Sequence, residues 1–174
     1  RRVTEEELLS IVEEACEEGG IDAQERELIC SAIEFNDLEV VDILTPRVNM
    51  EAVALDVTYE DLQAAFQTSS FSRLPVYDGT VDNIVGIINQ KDFYPCTPES
   101  FHLSEIMSEP LFMNENAKIG YLLKILQKQK AHMAIITDEY GGTLGLVTME
   151  DILEELVGEI WDEHDEVIEE IAKT

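Results

Sequence analysis

The sequence predicts a mixed chain of the α+β class: two tandem copies of one strand–helix–strand–strand–helix unit behind an N-terminal helical hairpin. Three observations predict it. The stretch Gly86-Ile87-Ile88-Asn89-Gln90-Lys91-Asp92-Phe93 returns without a gap as Gly145-Leu146-Val147-Thr148-Met149-Glu150-Asp151-Ile152. Short β-rich runs alternate with helically spaced apolar residues. Ahead of both copies lie two amphipathic stretches separated by Gly19-Gly20.

The hairpin comes first. Leu8, Ile11, Val12 and Ala15 follow helical spacing, and Glu5, Glu6 and Glu7 sit where the helix dipole favours negative charge. Asp22 with Glu25 resembles a capping box for a second helix, whose expected buried stripe is Leu28, Ile29, Ala32 and Ile33. In the first copy, Ala52 to Leu55 is a short strand, and Thr58 caps a helix carrying Leu62, Ala65 and Phe66. Strands Arg73 to Tyr77 and Ile84 to Ile88 flank the turn signal Asp78-Gly79. In the second copy, Leu111 to Met113 is the short strand, and the helix carries Ile119, Leu122, Leu123 and Leu126. Strands Ala134 to Thr137 and Leu144 to Val147 join through Gly141-Gly142. A final helix starts at Thr148, with Ile152, Leu153, Leu156, Val157 and Ile160 on one face. Upstream, Val41 to Thr45 matches Ser104 to Ser108. A unit of about 60 residues is short of independent stability, so the copies are expected to pack on each other. The expected divisions are 1–37 for the helical extension, 38–98 and 99–160 for the repeats, and 161–174 for an acidic tail with a weak apolar stripe of Val167, Ile168 and Ile171.

Composition narrows the function. Of 174 residues, 11 are Lys or Arg and 38 are Asp or Glu, giving a net charge of −27. Such a surface does not suit nucleic acid or an anionic membrane. At 45% apolar residues the chain can build a core. Cys16, Cys30 and Cys96 are far apart, odd in number and without a CxxC pair, which fits a reducing compartment. No uncharged apolar run approaches the ~18 residues of a membrane span, and no signal-peptide pattern is present. The chain opens with Arg1-Arg2 and stops within acidic sequence, so we expect a soluble piece of a longer protein.

The most informative constellation is Gly145 through Asp151, where a strand ends and a helix begins at Thr148. Thr148 and Asp151 stand three apart, which alone describes an ordinary capping box. The same pair also suits a nucleotide. A free helix N-terminus offers N–H groups to phosphate, a carboxylate beside it can accept hydrogen bonds from a ribose diol, and a hydroxyl can donate to ribose or phosphate. The first copy has Asn89 and Asp92 there: the acid without the hydroxyl. His102, His132 and His164 lack ligand spacing. His132 reads as a core-edge histidine and His164 as part of a solvated charge run, so no metal site is assigned. No GxSxG, HExxH or cysteine nucleophile signature occurs, and no catalytic residue is assigned.

The repeated unit resembles a CBS domain, and the pair resembles the Bateman module of the CorC/HlyC and CNNM proteins, membrane proteins associated with magnesium and cobalt transport. The carrying stretches are Asp42-Ile43-Leu44-Thr45-Pro46-Arg47, Phe71-Ser72-Arg73-Leu74-Pro75-Val76, His132 through Gly142, and Gly145 through Ile160. The resemblance covers nearly the whole chain. It implies a three-stranded sheet with two helices per repeat, pairing of the repeats across their sheets, a flat homodimer, and a regulatory adenosine nucleotide (AMP or ATP, with Mg²⁺ possible alongside it) in the cleft. It places Thr148 and Asp151 on ribose and adjacent phosphate, Arg47 facing the phosphates, and Phe71, Ser72 and Arg73 along the same cleft, with Phe71 near the base; Thr45 and Pro75 join the implied nucleotide-binding set. Local guanidinium groups would offset the repulsive field of the chain. Without the resemblance, Arg47 reads as a surface ion pair and Arg73 as an inter-repeat salt bridge. The resemblance also implies a transmembrane domain preceding the chain, with residues 3–36 as the relay, and a location on the cytoplasmic face of a membrane. Two other readings are a ligand-free pair serving only dimerisation, which Asn89 favours for one site, and a nucleotide hydrolase.

Overall fold

The computed structural model describes residues 3–158. The acidic tail, with His164 and the Val167, Ile168 and Ile171 stripe, lies outside them.

Helices α1 (Glu5–Glu17) and α2 (Ala23–Asp37) form the hairpin. Their first turns are closed by side chains: the Thr4 hydroxyl accepts from the Glu7 N–H at 3.1 Å, and the Asp22 carboxylate accepts from the Glu25 N–H at 2.7 Å. Gly19 takes φ +84° to end α1, a conformation glycine adopts without penalty. An ion pair between Arg26 and Glu13 ties the two helices. The buried line differs from the expected one. Val12, Ser31 and Phe35 are buried, while Leu8, Ile11, Leu28, Ile29 and Ala32 are exposed. The reason is that α2 meets the second repeat through its C-terminal end, where Phe35 joins the core of helix α6 (Ile119–Gln129). Periodicity finds the apolar stripe but not the neighbour that covers it.

A single 3-10 turn, Val40–Asp42, leads into the repeats. The first contributes β2 (Val53–Ala54), α3 (Tyr59–Thr68), β3 (Arg73–Tyr77), β4 (Ile84–Asn89) and a four-residue α4 (Gln90–Phe93). The second contributes β6 (Phe112–Asn114), α6, β7 (Met133–Thr137), β8 (Thr143–Thr148) and α7 over 149–158. Each expected strand appears: Arg73–Tyr77 as expected, the others with ends moved by one residue at most.

Each sheet also holds a fourth, two-residue strand. β1 (Thr45–Pro46) lies in the expected first repeat yet pairs with β8, giving the order β1-β8-β7-β6. β5 (Met107–Ser108), which follows a short helix α5 (Leu103–Ile106), pairs with β4, giving β2-β3-β4-β5. The two repeats therefore exchange strands across the expected boundary at 98/99. The duplicated glycines make room for the exchange. A Cβ at Gly145 would lie 2.1 Å from the Thr45 carbonyl oxygen, and one at Gly86 would lie 2.1 Å from the Met107 side chain.

Each repeat has its own core. Leu62, Phe66, Leu74, Val76, Ile88 and Phe93 form the first, and Ile119, Leu122, Leu126, Ile136, Val147 and Ile152 lie in the second. A third cluster joins Ile84 and Ile87 of β4 to Met133, Ile135 and Leu146 of β7 and β8, so the sheets pack against each other. Each such fully buried side chain contributes roughly 1.5–3 kcal/mol. Along α7, Ile152 is buried and Leu156 packs on the second core, whereas Leu153 and Val157 are exposed at 45% and 47%. The expected single face is thus divided, and Ile160 lies outside the described residues.

Candidate functional site: a cleft at the start of α7

β8 ends and α7 begins at Thr148, which is buried. Its hydroxyl accepts from the Asp151 N–H at 3.0 Å, and its own N–H donates to the Asp151 carboxylate at 3.1 Å. This reciprocal box fixes both side chains at the helix start. It leaves the Thr148 hydroxyl proton and the other Asp151 oxygen available to a ligand. The Met149 N–H donates to the His132 carbonyl at 2.8 Å, locking the turn to β7.

Beside this turn opens a cavity of about 240 Å³, lined by Phe71, Ser72 and Arg73 from the first repeat and by Thr148, Glu150 and Asp151 from the second. The Arg73 guanidinium lies 3.6 Å from the Glu150 carboxylate. The segment before β3 is held by two bonds. The Phe71 N–H donates to the Ser69 hydroxyl at 2.9 Å, and the Gln90 N–H donates to the Ser72 carbonyl at 2.8 Å. The cleft thus offers a half-buried aromatic ring, three hydroxyls, a guanidinium, two carboxylates and the N-terminus of a ten-residue helix. Those groups match the parts of a base, a sugar and a phosphate.

Five of the eight residues assigned from sequence converge on this cavity: Phe71, Ser72, Arg73, Thr148 and Asp151. Three are placed elsewhere. Thr45 lies in β1 against Leu146. Pro75 is buried within β3 opposite Ile87, where β2, which reaches only Val76 and Tyr77, leaves that side of the strand unpaired. Arg47 pairs with Asp82 and reaches the Thr143 carbonyl at 3.4 Å. It sits at the opposite end of β8 from Thr148, roughly 17 Å along the strand. It does not line the cavity beside Thr148. The Asp82 carboxylate also accepts from the Thr143 N–H at 3.1 Å. The Arg47 guanidinium, with that N–H, holds the Asp82 carboxyl below its ordinary value.

Glu150 lines the cleft and was not assigned from sequence. Its signal was present: it lies in the first turn, two residues past Thr148. His132 is exposed rather than a core-edge residue. Among the described residues no group of His, Cys, Asp and Glu is arranged to hold a metal ion, and no helix is long and apolar enough to cross a membrane.

The CBS domain family model matches residues 103–158. A solved CBS domain of the bacterial CNNM/CorC family Mg²⁺ transporter is 43% identical, with a TM-score of 0.79, over 90% of this chain and 98% of that one. The chain belongs to the CNNM/CorC family. A structure of such a CBS domain in complex with ATP is 44% identical, with a TM-score of 0.72, over 78% of this chain and 98% of that chain. Hemolysin C of Brachyspira hyodysenteriae is 39% identical over 84% of this chain. The present chain spans 55% of that relative's length, so it corresponds to one part of such CNNM/CorC-related proteins.

Proposed function

We propose that the chain is the cytosolic regulatory module of a membrane protein of magnesium or cobalt transport, and that it binds AMP or ATP, the latter with Mg²⁺, in the cleft at the start of α7. The observation that carries this reading is the convergence of Phe71, Ser72 and Arg73 on the Thr148–Asp151 box across the two repeats. The ATP complex of a related CBS domain supports the same ligand class.

In this reading Asp151 accepts from the ribose hydroxyls, Thr148 donates to ribose or phosphate, and Phe71 packs near the base. Arg73 turns from Glu150 to the phosphate. A divalent cation on the phosphates offsets Glu150 and the general negative field. The ligand regulates only by binding one arrangement of the paired repeats better than another. The hairpin, joined to β8 through β1, relays that difference to a preceding transmembrane domain, and a second copy completes a homodimer. The module itself performs no hydrolysis.

Calorimetric titration with AMP and with ATP, each with and without Mg²⁺, tests the reading. Saturable heat is expected, with ATP binding strengthened by Mg²⁺. Absence of heat with every ligand would leave the ligand-free assembly reading in its place. Release of phosphate from Mg-ATP would instead identify an enzyme. Sedimentation of the chain at rising concentration tests the dimer.

A further inference from the structure

The two repeats meet along a seam whose ends are fastened differently. The middle is apolar, with Ile84 and Ile87 of β4 against Met133, Ile135 and Leu146. Such contacts are non-directional, so they resist separation better than they resist rocking. The ends therefore decide how far the repeats can rock. At the cleft end, Arg73 reaches across to Glu150 at 3.6 Å, and the cavity lies beside that pair.

At the other end the crossing is a closed triangle. The Asp82 carboxylate, in the turn between β3 and β4, accepts through one oxygen both from Arg47 and from the Thr143 N–H, the latter at 3.1 Å. The same guanidinium nitrogen of Arg47 donates to the Thr143 carbonyl at 3.4 Å. Arg47 comes from the turn after β1, Asp82 from the first repeat and Thr143 from the first residue of β8. No corner can slide without losing a bond. The Arg47 and Asp82 side chains are half exposed, so the ion pair adds little stability of its own. Thr143 is buried, and removing Asp82 leaves its N–H unpaired.

The repeat gives this triangle no mate. The offsets that carry Gly86 to Gly145 and Val41 to Ser104 carry Asp82 to Gly141, Thr143 back to Ile84 and Arg47 to Pro110. That trio has neither a carboxylate nor a guanidinium. The clasp thus belongs to one side of the module, as the Thr148–Asp151 box does.

Strand β8 runs from the clasp at Thr143 to the box at Thr148, and β3 runs from Arg73 in the cleft to Tyr77, beside the turn that carries Asp82. Each strand has one end at the clasp and the other on one wall of the cleft. Fixing the far ends sets the spacing of the near ones. We propose that the Arg47–Asp82–Thr143 clasp is the pivot of the paired repeats, and that Arg47 and Asp82 are positioning residues that set the width of the α7 cleft without touching its ligand. The inference rests on the reading of that cleft as a nucleotide site. A nucleotide held by Phe71 and Arg73 on one wall and by Thr148 and Asp151 on the other binds best at one width. A loosened pivot spreads the widths and lowers affinity for every ligand that spans both walls.

Calorimetry with AMP and with Mg-ATP tests this on Asp82→Ala, Arg47→Ala and the double variant, at a temperature where each is folded by circular dichroism. Each single substitution is expected to weaken both ligands by the same factor, roughly three- to tenfold. The double variant is expected to bind no more weakly than the weaker single one, because both remove one clasp. Unchanged affinities, or losses that add, would overturn the proposal. So would an Arg47→Ala that weakens Mg-ATP alone beside an Asp82→Ala that binds normally, since that pattern puts Arg47 on the phosphates. The NMR spectrum of ligand-free Asp82→Ala gives a second reading. The Ser72 and Thr148 amides are expected to shift, although the box lies roughly 17 Å along β8 from the clasp; unmoved amides would overturn the pivot. If the unsubstituted chain binds neither ligand, the nucleotide reading fails, and those two amides still decide the pivot.

Discussion

The two strand-to-helix turns of the repeats share an origin and differ in chemistry. After β8, Thr148 and Asp151 bond reciprocally, and a ten-residue helix follows. After β4, the Asn89 side chain accepts from the Lys91 N–H at 3.1 Å, two residues on, and the helix stops after four residues. Asn89 closes a tight local turn on its own backbone, as Asn does readily, and forms no box with Asp92. The segment facing each turn differs as well. Phe71 and Arg73 face the second; one offset of 59 residues later, Lys130 and His132 stand at the first. The two turns therefore present different side chains to the clefts beside them, and the proposed adenosine ligand belongs to the second.

The largest expected effect breaks the better turn. Thr148→Ile removes a hydroxyl and places a branched chain in the cleft, so nucleotide heat should vanish in calorimetry. The lost cap should cost ~1 kcal/mol in denaturant unfolding. Asn89→Ile should leave nucleotide affinity unchanged. Loss of binding in both variants would mean that the site is not confined to the second turn.

Next come the glycines. Gly145→Ala drives a methyl against the Thr45 backbone, which cannot move without shifting β1. About 1–3 kcal/mol of destabilisation is expected in thermal unfolding. Gly86→Ala meets only the flexible Met107 side chain and should cost less. Equal costs would contradict that difference. Asn89→Thr sharpens the comparison from the other side. It restores the hydroxyl but not the aromatic ring, so calorimetry should still count one nucleotide per chain.

The smallest effect concerns the opposite end of β8. Asp82, bonded by Arg47 and the Thr143 N–H, has a depressed carboxyl pKa. Its contribution is present above the unfolded-state value and is lost as pH falls through the lower folded-state one. Asp82→Asn should therefore lower the melting temperature slightly at neutral pH and have less effect in acid. A constant difference across pH would remove the charge from that account.

Much of this was legible beforehand, for identifiable reasons. The repeat offset located both copies, because duplicated sequence keeps its spacing. The Thr148–Asp151 pair was legible because a box is written within four residues. β1 and β5 were not found, since a two-residue strand has no period to read. The pairing of Arg47 with Asp82 could not be located, because that partner lies 35 residues away and no local pattern chooses among so many acids. Leu28 and Ile29 were expected inside because a stripe does not announce its partner.

The strand exchange carries a last consequence. Cut between 94 and 103, the chain yields two pieces, each keeping an edge that only the other piece closes. Expressed alone, either piece would offer that open edge to its own copies and aggregate. Produced together, they should recombine into a nicked but complete molecule, and the same exposed connection is a natural place to set new chain ends in a circular permutant.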